Sequence, residues 1–345
     1  LVDENRILVS EGLRRLHRTS HKGLDALIRV RGLEKASIST YHIGFVLGPC
    51  LNSAGRLRHA SLALELLEEQ DPARAQQLAE QLSELNEERK SLTTAGALQA
   101  CQILQDQAEQ GKAPEKILVL YLPQSHESLS GIIAGRIKEE YNRPAIVITR
   151  TQKGLKGSGR STEAYNLIEA LRRFEPLFEH LGGHTKACGF TLRMRGSEEE
   201  TVRYLSDCLN RSCELEQKDF EKKIWIDMQL PFSYANQTFA RELELLKPFG
   251  LGNEQPVFAQ KNVTVLTSCV IGKNRNALKL QLEDPQGGRI EGILFGNEEQ
   301  IAQQKEELDV HREISMLYYP EINEFRGVRT VQAVIRALRI VAVQP

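Results

Sequence analysis

The sequence predicts two classes of domain in one chain, α/β plus all-β, joined by a long helix. Three observations lead to this prediction. Between about residues 115 and 215, strand-like apolar runs alternate with helical patterns, which is typical of an α/β domain. A long stretch without proline precedes this region, and short strand-like runs separated by turn residues follow it.

The long helix is predicted over residues 71–112. Asp71-Pro72 is a strong start signal, because aspartate caps a first turn well and proline is tolerated at the first helical position. A helix of about 40 residues would be ~60 Å long. Its acidic composition without a strict heptad favours a connector between domains over a coiled coil. Five leucines recur at mostly helical spacings: Leu78, Leu82, Leu85, Leu92 and Leu98.

The α/β domain is predicted over residues 113–218. Buried strands are expected at 117–121 and 145–149, because both runs are short and continuously apolar. Ser128 is a plausible cap for the helix that follows it. The remaining elements are predicted as helices at 129–141, 164–179 and 197–213 and a strand at 189–194.

Residues 219–345 are predicted to form the all-β domain. One helix at about 237–246 precedes five short strands, and a second helix at about 297–307 separates the third strand from the fourth. This pattern is that of a small barrel of OB type, although sandwiches show similar spacing. The strands are expected at 263–271, 277–282, 289–295, 314–319 and 330–341.

Charge is distributed unevenly along the chain, although the 45 basic and 46 acidic residues give a net charge of −1. Residues 1–60 carry a net charge of +5 and residues 111–195 of +6, whereas the segment 61–110 between them carries −7. The balance excludes a uniformly basic coat, but basic segments attract phosphates. Surface charge also fluctuates in any protein, so this observation alone leaves both readings open.

The number of cysteines and the hydropathy of the sequence indicate in which cellular compartment the protein is expected. The six cysteines in 345 residues are too sparse for a disulfide scaffold, and no two are spaced as in a zinc knuckle. No apolar run reaches the ~18 residues of a membrane span. We therefore expect reduced thiols, a cytoplasmic location and no membrane partner.

Four short stretches are richer in Gly, Arg, Ser and His than packing requires. Glycines let a backbone approach a phosphate, arginine can pair with it through two donors, and serine adds a hydroxyl. Each stretch alone has a plain alternative, such as a turn between strands, a structural histidine or a helix-capping asparagine. The stretches are 48–56 (GPCLNSAGR), 126–131 (HESLSG), 157–161 (GSGRS) and 182–189 (GGHTKACG).

In this order the four stretches resemble the later motifs of RecJ-type single-strand-specific exonucleases of the DHH phosphoesterase superfamily. The resemblance covers nearly the whole chain. Residues 117–195 resemble the DHH-associated domain, and 247–253 (KPFGLGN) resembles the start of the family's OB-type domain. Residues 1–16 resemble the stretch just after the last metal-binding motif, so we interpret 1–70 as a remnant that follows a missing DHH domain.

The chain departs from the family pattern at several positions. Cys50 stands where the first motif usually has arginine, and Cys188 stands where the glycine-histidine motif usually has alanine. Ser128 and Leu129 replace the usual Gly-Val. These changes suggest a divergent branch.

The largest departure is that the sequence contains neither Asp-His-His nor Asp-x-Asp. The family hydrolyses phosphodiesters with two metal ions, and that chemistry needs clustered carboxylates. The resemblance therefore implies manganese or magnesium for a full enzyme and none bound by this chain. We expect the metal domain upstream of Leu1 and an isolated chain that binds single strands but does not cleave them.

The resemblance also implies roles for individual residues. Asn52, Arg56, His126 and His184 are the expected catalytic group. The 5′ phosphate of the substrate would be held by Ser158, Gly159, Arg160, Ser161, Gly182 and Gly183.

In the OB-type domain, basic and aromatic side chains are candidates for backbone contacts and base stacking. Core aromatics with solvated charges are an equally good explanation for each one. The main candidates are Lys273, Arg275, Lys279, Tyr318, Arg326 and Arg329, with Phe295, Tyr319 and Phe325 as further aromatics.

The expected partner is single-stranded DNA, with a single-strand-binding protein or a helicase as a further partner, and we expect a monomer. Two other functions remain open: a non-catalytic scaffold of a replication or repair complex, and a DHH-type phosphatase on short oligonucleotides. The retained phosphate motifs count against a scaffold, and the OB-type tail counts against the phosphatase.

Overall fold

The computed structural model describes residues 1–272, 274–308, 311–325 and 327–341. The chain divides into two compact units by its internal contacts. One unit is Leu16–Lys223, and the other combines Leu1–Arg15 with Ile224–Pro345. The segment 1–70, predicted as a single piece, is thus divided between the two units after Arg15. The long helix belongs to the same unit as the α/β domain. The three predicted boundaries between the segments 1–70, 71–112, 113–218 and 219–345 stay predictions.

The unit Leu16–Lys223 begins with helices that pack around one long helix, α6. The Asp71 side chain caps α6 by accepting a hydrogen bond from the backbone N–H of Arg74 at 2.9 Å, and Pro72 is its first residue, as predicted. With 38 residues, α6 is about 57 Å long. The helices are α2 (Lys22–Val30), α3 (Thr40–His42), a π-helical turn (Ile43–Leu47), α4 (Gly48–Leu57), α5 (Ser61–Glu68) and α6 (Pro72–Glu109).

The two halves of α6 bury different kinds of residue. Leu78, Leu82 and Leu85 are buried in the first half. Leu92 and Leu98 are exposed, and the second half instead buries the small residues Thr93, Gly96 and Ala100. A Cβ on Gly96 would come within 2.5 Å of the Ile133 side chain. None of the helices in the described part of the chain is long and apolar enough to cross a membrane.

The rest of this unit is a five-stranded sheet in the order β1-β2-β3-β5-β4. Strands β1 and β2 are parallel, and the other neighbours are antiparallel. Helix α7 packs on one face together with α6, and α8 and α9 pack on the other. The elements are β1 (Leu118–Tyr121), α7 (Ser130–Tyr141), β2 (Ala145–Thr151), β3 (Gly154–Arg160), α8 (Leu167–Arg172), β4 (Phe178–His184), β5 (Ala187–Leu192) and α9 (Glu198–Arg211).

Two sequence predictions for this sheet are wrong. The helix expected at 164–179 ends at Arg172, and a 3-10 turn that contains Pro176 leads directly into β4. Strand β4 is an edge strand with mostly exposed polar and glycine residues, so it lacks the apolar alternation that identifies a strand. The side-chain cap expected at Ser128 is also wrong: Leu129 precedes α7 and provides no side-chain cap, while the His126 Nδ1 accepts from the Ser128 N–H and caps the 3-10 turn before α7.

The second unit contains a ring of five strands. Their order is β10-β11-β9-β8-β7, and an additional pairing of β10 with β7 closes the ring. All neighbours are antiparallel except β9 and β11. Together with the helix between the third and fourth strands, this arrangement is OB-like, as predicted. The elements are α1 (Glu4–Leu16), β6 (Met228–Gln229), α10 (Gln237–Glu244), β7 (Phe258–Ile271), β8 (Ala277–Glu283), β9 (Arg289–Phe295), α11 (Glu298–Glu307), β10 (Glu313–Phe325) and β11 (Val328–Ile340).

The first residues of the chain pack on this unit. The Arg6 guanidinium donates to the carbonyl oxygens of Leu245 and Lys247 at 2.8 and 3.1 Å. The Leu1 side chain lies against Gly250, where a Cβ would be 3.0 Å away. These contacts explain why Leu1–Arg15 groups with the C-terminal residues.

Substitution of Gly157 by alanine should destabilise the unit Leu16–Lys223. The new Cβ would lie 2.2 Å from the Phe190 ring, so the core must shift. Such overpacking costs about 1–3 kcal/mol. Urea unfolding followed by far-ultraviolet circular dichroism measures the loss. Gly182→Ala is the control, because its Cβ would meet nothing within 4 Å; an equal loss in both variants would contradict this packing.

Candidate phosphate-binding cleft

The stretch Gly157-Ser-Gly-Arg-Ser161 lies at the centre of the sheet. Residues 157–160 belong to β3, which corrects the alternative that they form a plain turn. A strand directs alternate side chains to opposite faces. Gly157 and Gly159 face the core, where Phe190 and Cys188 occupy the space that a Cβ would need. Ser158 and Arg160 are therefore directed to the other face.

A row of small residues crosses this other face. Ser158 pairs with Gly189 on β5, and Gly189 pairs with Gly182 on β4. A Cβ on Gly182 would meet nothing within 4 Å, and one on Gly189 would be 3.9 Å from the nearest atom. The backbone is thus bare along this row, which forms a shallow trough.

Polar rows flank the trough on both sides. Because paired residues of antiparallel strands share a face, each row contains one residue from each of three strands. The first row is Lys156, Thr191 and His180, and the second is Arg160, Ala187 and His184.

The trough is the floor of a cleft of about 940 Å³. Its other walls are the end of α4, with Gly55 and Arg56, and the turn that leads into α7. Ser130, the first residue of α7, lines the cleft, and its buried hydroxyl has no hydrogen-bond partner among the described residues. A buried hydroxyl without a partner is unusual in a folded protein.

The wall of the cleft is held by reciprocal hydrogen bonds between α4 and the turn before α7. Arg56 Nη1 donates to the Ser128 carbonyl oxygen at 2.9 Å, and the Ser128 hydroxyl donates to the Arg56 carbonyl oxygen at 2.9 Å. The His126 Nδ1 lies 2.7 Å from the same hydroxyl. The structure thus connects Arg56 and His126 through a serine that the sequence suggested only as a helix cap, whereas their catalytic role stays a prediction.

Charges of both signs line the cleft. The Lys156 ammonium lies 2.5 Å from the Glu127 carboxylate, and both side chains are partly exposed. Glu175 and Glu179 line the edge next to β4. An anion would therefore be most favourable on the side of Arg56 and Lys156.

Arg160 shares the face of Ser158 but is not among the residues that line the cleft, because its guanidinium lies against the start of α7. Its Nη1 donates to the Gly159 carbonyl oxygen at 2.8 Å, and its Nη2 would be 2.7 Å from a Cβ on Gly131. The glycine at 131 therefore makes room for the guanidinium. No carboxylate of the described residues forms an ion pair with Arg160, so its charge is available to a ligand.

Other predicted site residues have different positions. The Ser161 side chain is buried and donates to the Tyr165 carbonyl oxygen at 2.7 Å, so its hydroxyl serves the turn after β3. Gly183 has φ +145°, and a Cβ there would lie 2.4 Å from the Ala187 carbonyl oxygen, so glycine is needed to close the β4–β5 hairpin. His184 and Asn52 are exposed and do not line the cleft.

The cleft also contains polar residues that the sequence did not indicate, among them Lys156, His180 and Thr191. Recognition of β3 as a strand would have placed Lys156 on the face of Ser158, two residues away. No local signal identifies His180 and Thr191, because the pairing of β4 with β5 brings them to this face.

The comparisons with known proteins agree with both domains. Residues 115–211 match the family described as DHHA1 domain, and residues 226–337 match the family described as RecJ OB domain. The chain is homologous to the RecJ exonucleases. The single-stranded-DNA-specific exonuclease RecJ of Haemophilus influenzae is 31% identical over 97% of this chain, and that of Dickeya dadantii is 32% identical over the same share. This chain spans 58% of each relative.

Solved RecJ structures support the same assignment. The structure of Thermus thermophilus RecJ in complex with Mg²⁺ matches with a TM-score of 0.77 and 28% identity, covering 97% of this chain and 49% of that chain. The Mn²⁺ complex matches equally well and is covered to 46%. Because the match covers 97% of this chain, it includes the long helix and both of the matched domains.

The metal ions of these RecJ structures have no fitting residue set here. The described residues contain no group of three or more His, Cys, Asp or Glu side chains that could hold a metal ion. The histidines and glutamates of the cleft therefore do not form a ligand set, and this part of the chain does not reproduce a two-metal site.

The aromatic residues predicted to contact nucleic acid in the OB domain differ in their exposure. Tyr318 corrects the prediction: it is fully buried and its hydroxyl donates to the Leu230 carbonyl oxygen at 2.7 Å, so it offers no surface to a base. Tyr319 is also buried, whereas Phe295 is 62% exposed. Lys273, Arg326 and the side chain of Phe325 lie outside the described residues.

The remaining basic candidates each have a carboxylate partner. Lys279 pairs with Glu291 at 2.6 Å, Arg275 with Glu298 at 3.5 Å and Arg329 with Glu324 at 2.7 Å. Exposed pairs of this kind are weak, so a phosphate can compete for the cation. Arg275 lies in the β7–β8 loop and Arg329 follows the β10–β11 turn, which correspond to the loops that bind oligonucleotides in OB folds.

The Lys156–Glu127 pair should control anion binding in the cleft. Glu127→Gln should strengthen the stabilisation of the protein by inorganic phosphate, because it frees the Lys156 charge. Lys156→Gln should weaken it, because it removes that charge and leaves the carboxylate unpaired. Thermal unfolding across a phosphate titration measures both effects. Equal shifts in the two variants would show that this pair does not face the bound anion.

Proposed function

We propose that this chain is the substrate-binding part of a metal-dependent 5′→3′ exonuclease that hydrolyses single-stranded DNA in repair and recombination. The observation that carries the proposal is the cleft over β3. There a bare backbone trough lies between a row with Lys156 and a row with Arg160, in the DHHA1 domain of a chain homologous to RecJ.

The cleft suits a terminal phosphate. Arginine pairs with phosphate oxygens through two parallel hydrogen bonds, and Arg160 has no competing carboxylate. Ser158 adds a hydroxyl from the floor, and Gly182 and Gly189 leave space above the backbone. A terminal phosphate carries more charge than an internal one, so this arrangement favours the end of a strand that bears a phosphate.

The OB domain would hold the strand beyond its end. Its candidate contacts lie on the two loops and the second strand of the ring, and each basic residue there can exchange its carboxylate partner for a phosphate. Such contacts would be salt-dependent and independent of sequence.

The chemical step would come from metal-binding residues outside this chain. The described residues hold no metal ligand set, and the sequence contains no Asp-His-His. Bound Mn²⁺ or Mg²⁺ would supply an activated water and stabilise the charge on the phosphate. The residues of this chain would orient the substrate. A monomer, and contact with a single-strand-binding protein or a helicase, stay predictions.

Substitution of Arg160 by alanine should reduce the preference for a 5′ phosphate over a 5′ hydroxyl. Charge-assisted hydrogen bonds contribute about 1.5–3 kcal/mol, so the preference should fall roughly tenfold or more. Fluorescence anisotropy with two single strands that differ only at the 5′ end measures it. Arg172→Ala on α8, an exposed arginine of the helices that pack on the opposite face, is the control. An equal loss for both strands in Arg160→Ala would argue against the phosphate assignment.

The purified chain should leave a 5′-phosphorylated single strand intact when Mn²⁺ is added, because the residues that the structure describes provide no ligand set for the metal. Gel analysis of a 3′-labelled strand over time measures this. The RecJ of Thermus thermophilus serves as the positive control. Progressive shortening of the strand by the purified chain would refute the proposed division of roles.

A further inference from the structure

Three arginines from three helices lie together next to the cleft. Arg56 on α4 lines the cleft, Arg89 is in the middle of α6 and is partly buried, and Arg136 on α7 is exposed. Helices α4 and α7 both pack on α6. The Ser53 hydroxyl of α4 donates to the Leu82 carbonyl oxygen of α6 at 3.3 Å, and Arg136 Nη1 donates to the Thr94 hydroxyl of α6, five residues beyond Arg89. In agreement with this packing, burial lowers the pKa of Arg89, and the charges of Arg56 and Arg136 lower it further. We refer to these three side chains as the arginine surface.

No carboxylate neutralises the arginine surface. Within the described part of the chain, none of the three guanidinium groups forms an ion pair with an acidic side chain. Glu87 is the acidic residue whose charge acts on Arg89, but it pairs with Arg31 at 2.9 Å and Lys90 at 3.0 Å. The repulsion among the arginines is therefore left for an external anion to relieve.

The three guanidinium groups are held by neutral acceptors. Arg56 donates to the Ser128 carbonyl oxygen, and Arg136 donates to the Thr94 hydroxyl at 3.1 Å. These contacts use one nitrogen each, and a guanidinium has five N–H donors. Most donors of the arginine surface thus remain available for oxygen atoms of a ligand.

A buried asparagine fixes the orientation of Arg89. The Nε and Nη2 atoms of Arg89 donate to the Asn86 Oδ1 at 3.2 and 3.0 Å, and Asn86 is only 1% exposed. A neutral amide at this position holds the guanidinium without cancelling its charge, which an aspartate would do. Such an arrangement is expected where a protein prepares a cation for an anionic ligand.

We propose that the arginine surface binds an internal backbone phosphate of the same single strand whose terminal phosphate lies in the cleft. The inference rests on the proposed function. Arg56 connects the two sites, because it lines the cleft and is also part of the arginine surface. A strand carries one phosphate per nucleotide, so it can occupy both sites at once, whereas a free mononucleotide can occupy only one.

The test compares variants of the full chain in binding to two ligands. One ligand is a 5′-phosphorylated oligothymidylate of about a dozen nucleotides, and the other is thymidine 5′-monophosphate. Arg89→Gln and Arg136→Gln should weaken oligonucleotide binding roughly tenfold. They should also reduce the slope of log K against log salt by about 0.7 for each lost contact. Binding of the mononucleotide should be unchanged. Arg203→Gln on α9, an exposed arginine of the helices that pack on the opposite face, is the matched control.

Asn86→Asp provides a second test without removing a side chain. It keeps the acceptor for Arg89 but adds a negative charge, so oligonucleotide binding should fall as in Arg89→Gln. Thermal unfolding shows whether the variant remains folded, and Arg136→Gln, at an exposed position, carries the test if it does not.

The outcomes separate the inference from the proposed function. If the wild-type chain does not bind the oligonucleotide, the proposed function fails and the inference fails with it. If the wild-type chain binds but Arg89→Gln and Arg136→Gln bind as tightly as Arg203→Gln, only the inference is overturned. Weakened binding of the mononucleotide to the same extent would also overturn it, since the arginines would then belong to the cleft.

Discussion

The packing of Phe190 and Cys188 against the backbone of β3 is the contact on which the cleft depends. Because the two side chains occupy the space next to Gly157 and Gly159, the core face of β3 can carry no Cβ at these positions. The alternation of a strand then directs Lys156, Ser158 and Arg160 to the opposite face. The polar face of the cleft is thus a consequence of how tightly the apolar face is filled.

The distribution of charge is compatible with the proposed binding of a polyanion by a chain with a net charge of −1. Several acidic side chains near the candidate sites form ion pairs with other cations, such as those of Glu127, Glu87 and Glu291. Arg160, Arg89 and Arg136 are held by carbonyl, amide or hydroxyl oxygens instead. The local pairing of each cation, and not the total charge, therefore determines where phosphates would bind.

The elements with strong local signals could be predicted from the sequence. Asp71-Pro72 and the absence of proline identify α6, and alternating apolar residues identify the strands of the OB domain. Strand β4 could not be predicted, because an exposed glycine-rich edge strand has no apolar pattern. The cleft depends on the pairing of β3, β5 and β4, so the partners of Ser158 cannot be read from neighbouring residues. The arginine surface could not be predicted either. Arg89 lies in a helix that the sequence suggested only as a connector, and Arg56 and Arg136 belong to other helices.

A crystal structure of this chain with a 5′-phosphorylated oligothymidylate tests the central claim most directly. We expect the terminal phosphate above Gly182 and Gly189, within hydrogen-bond distance of Arg160 and Ser158, with the strand leading away from the cleft. A terminal phosphate bound elsewhere, with the trough over β3 occupied by water, would contradict this account of the cleft.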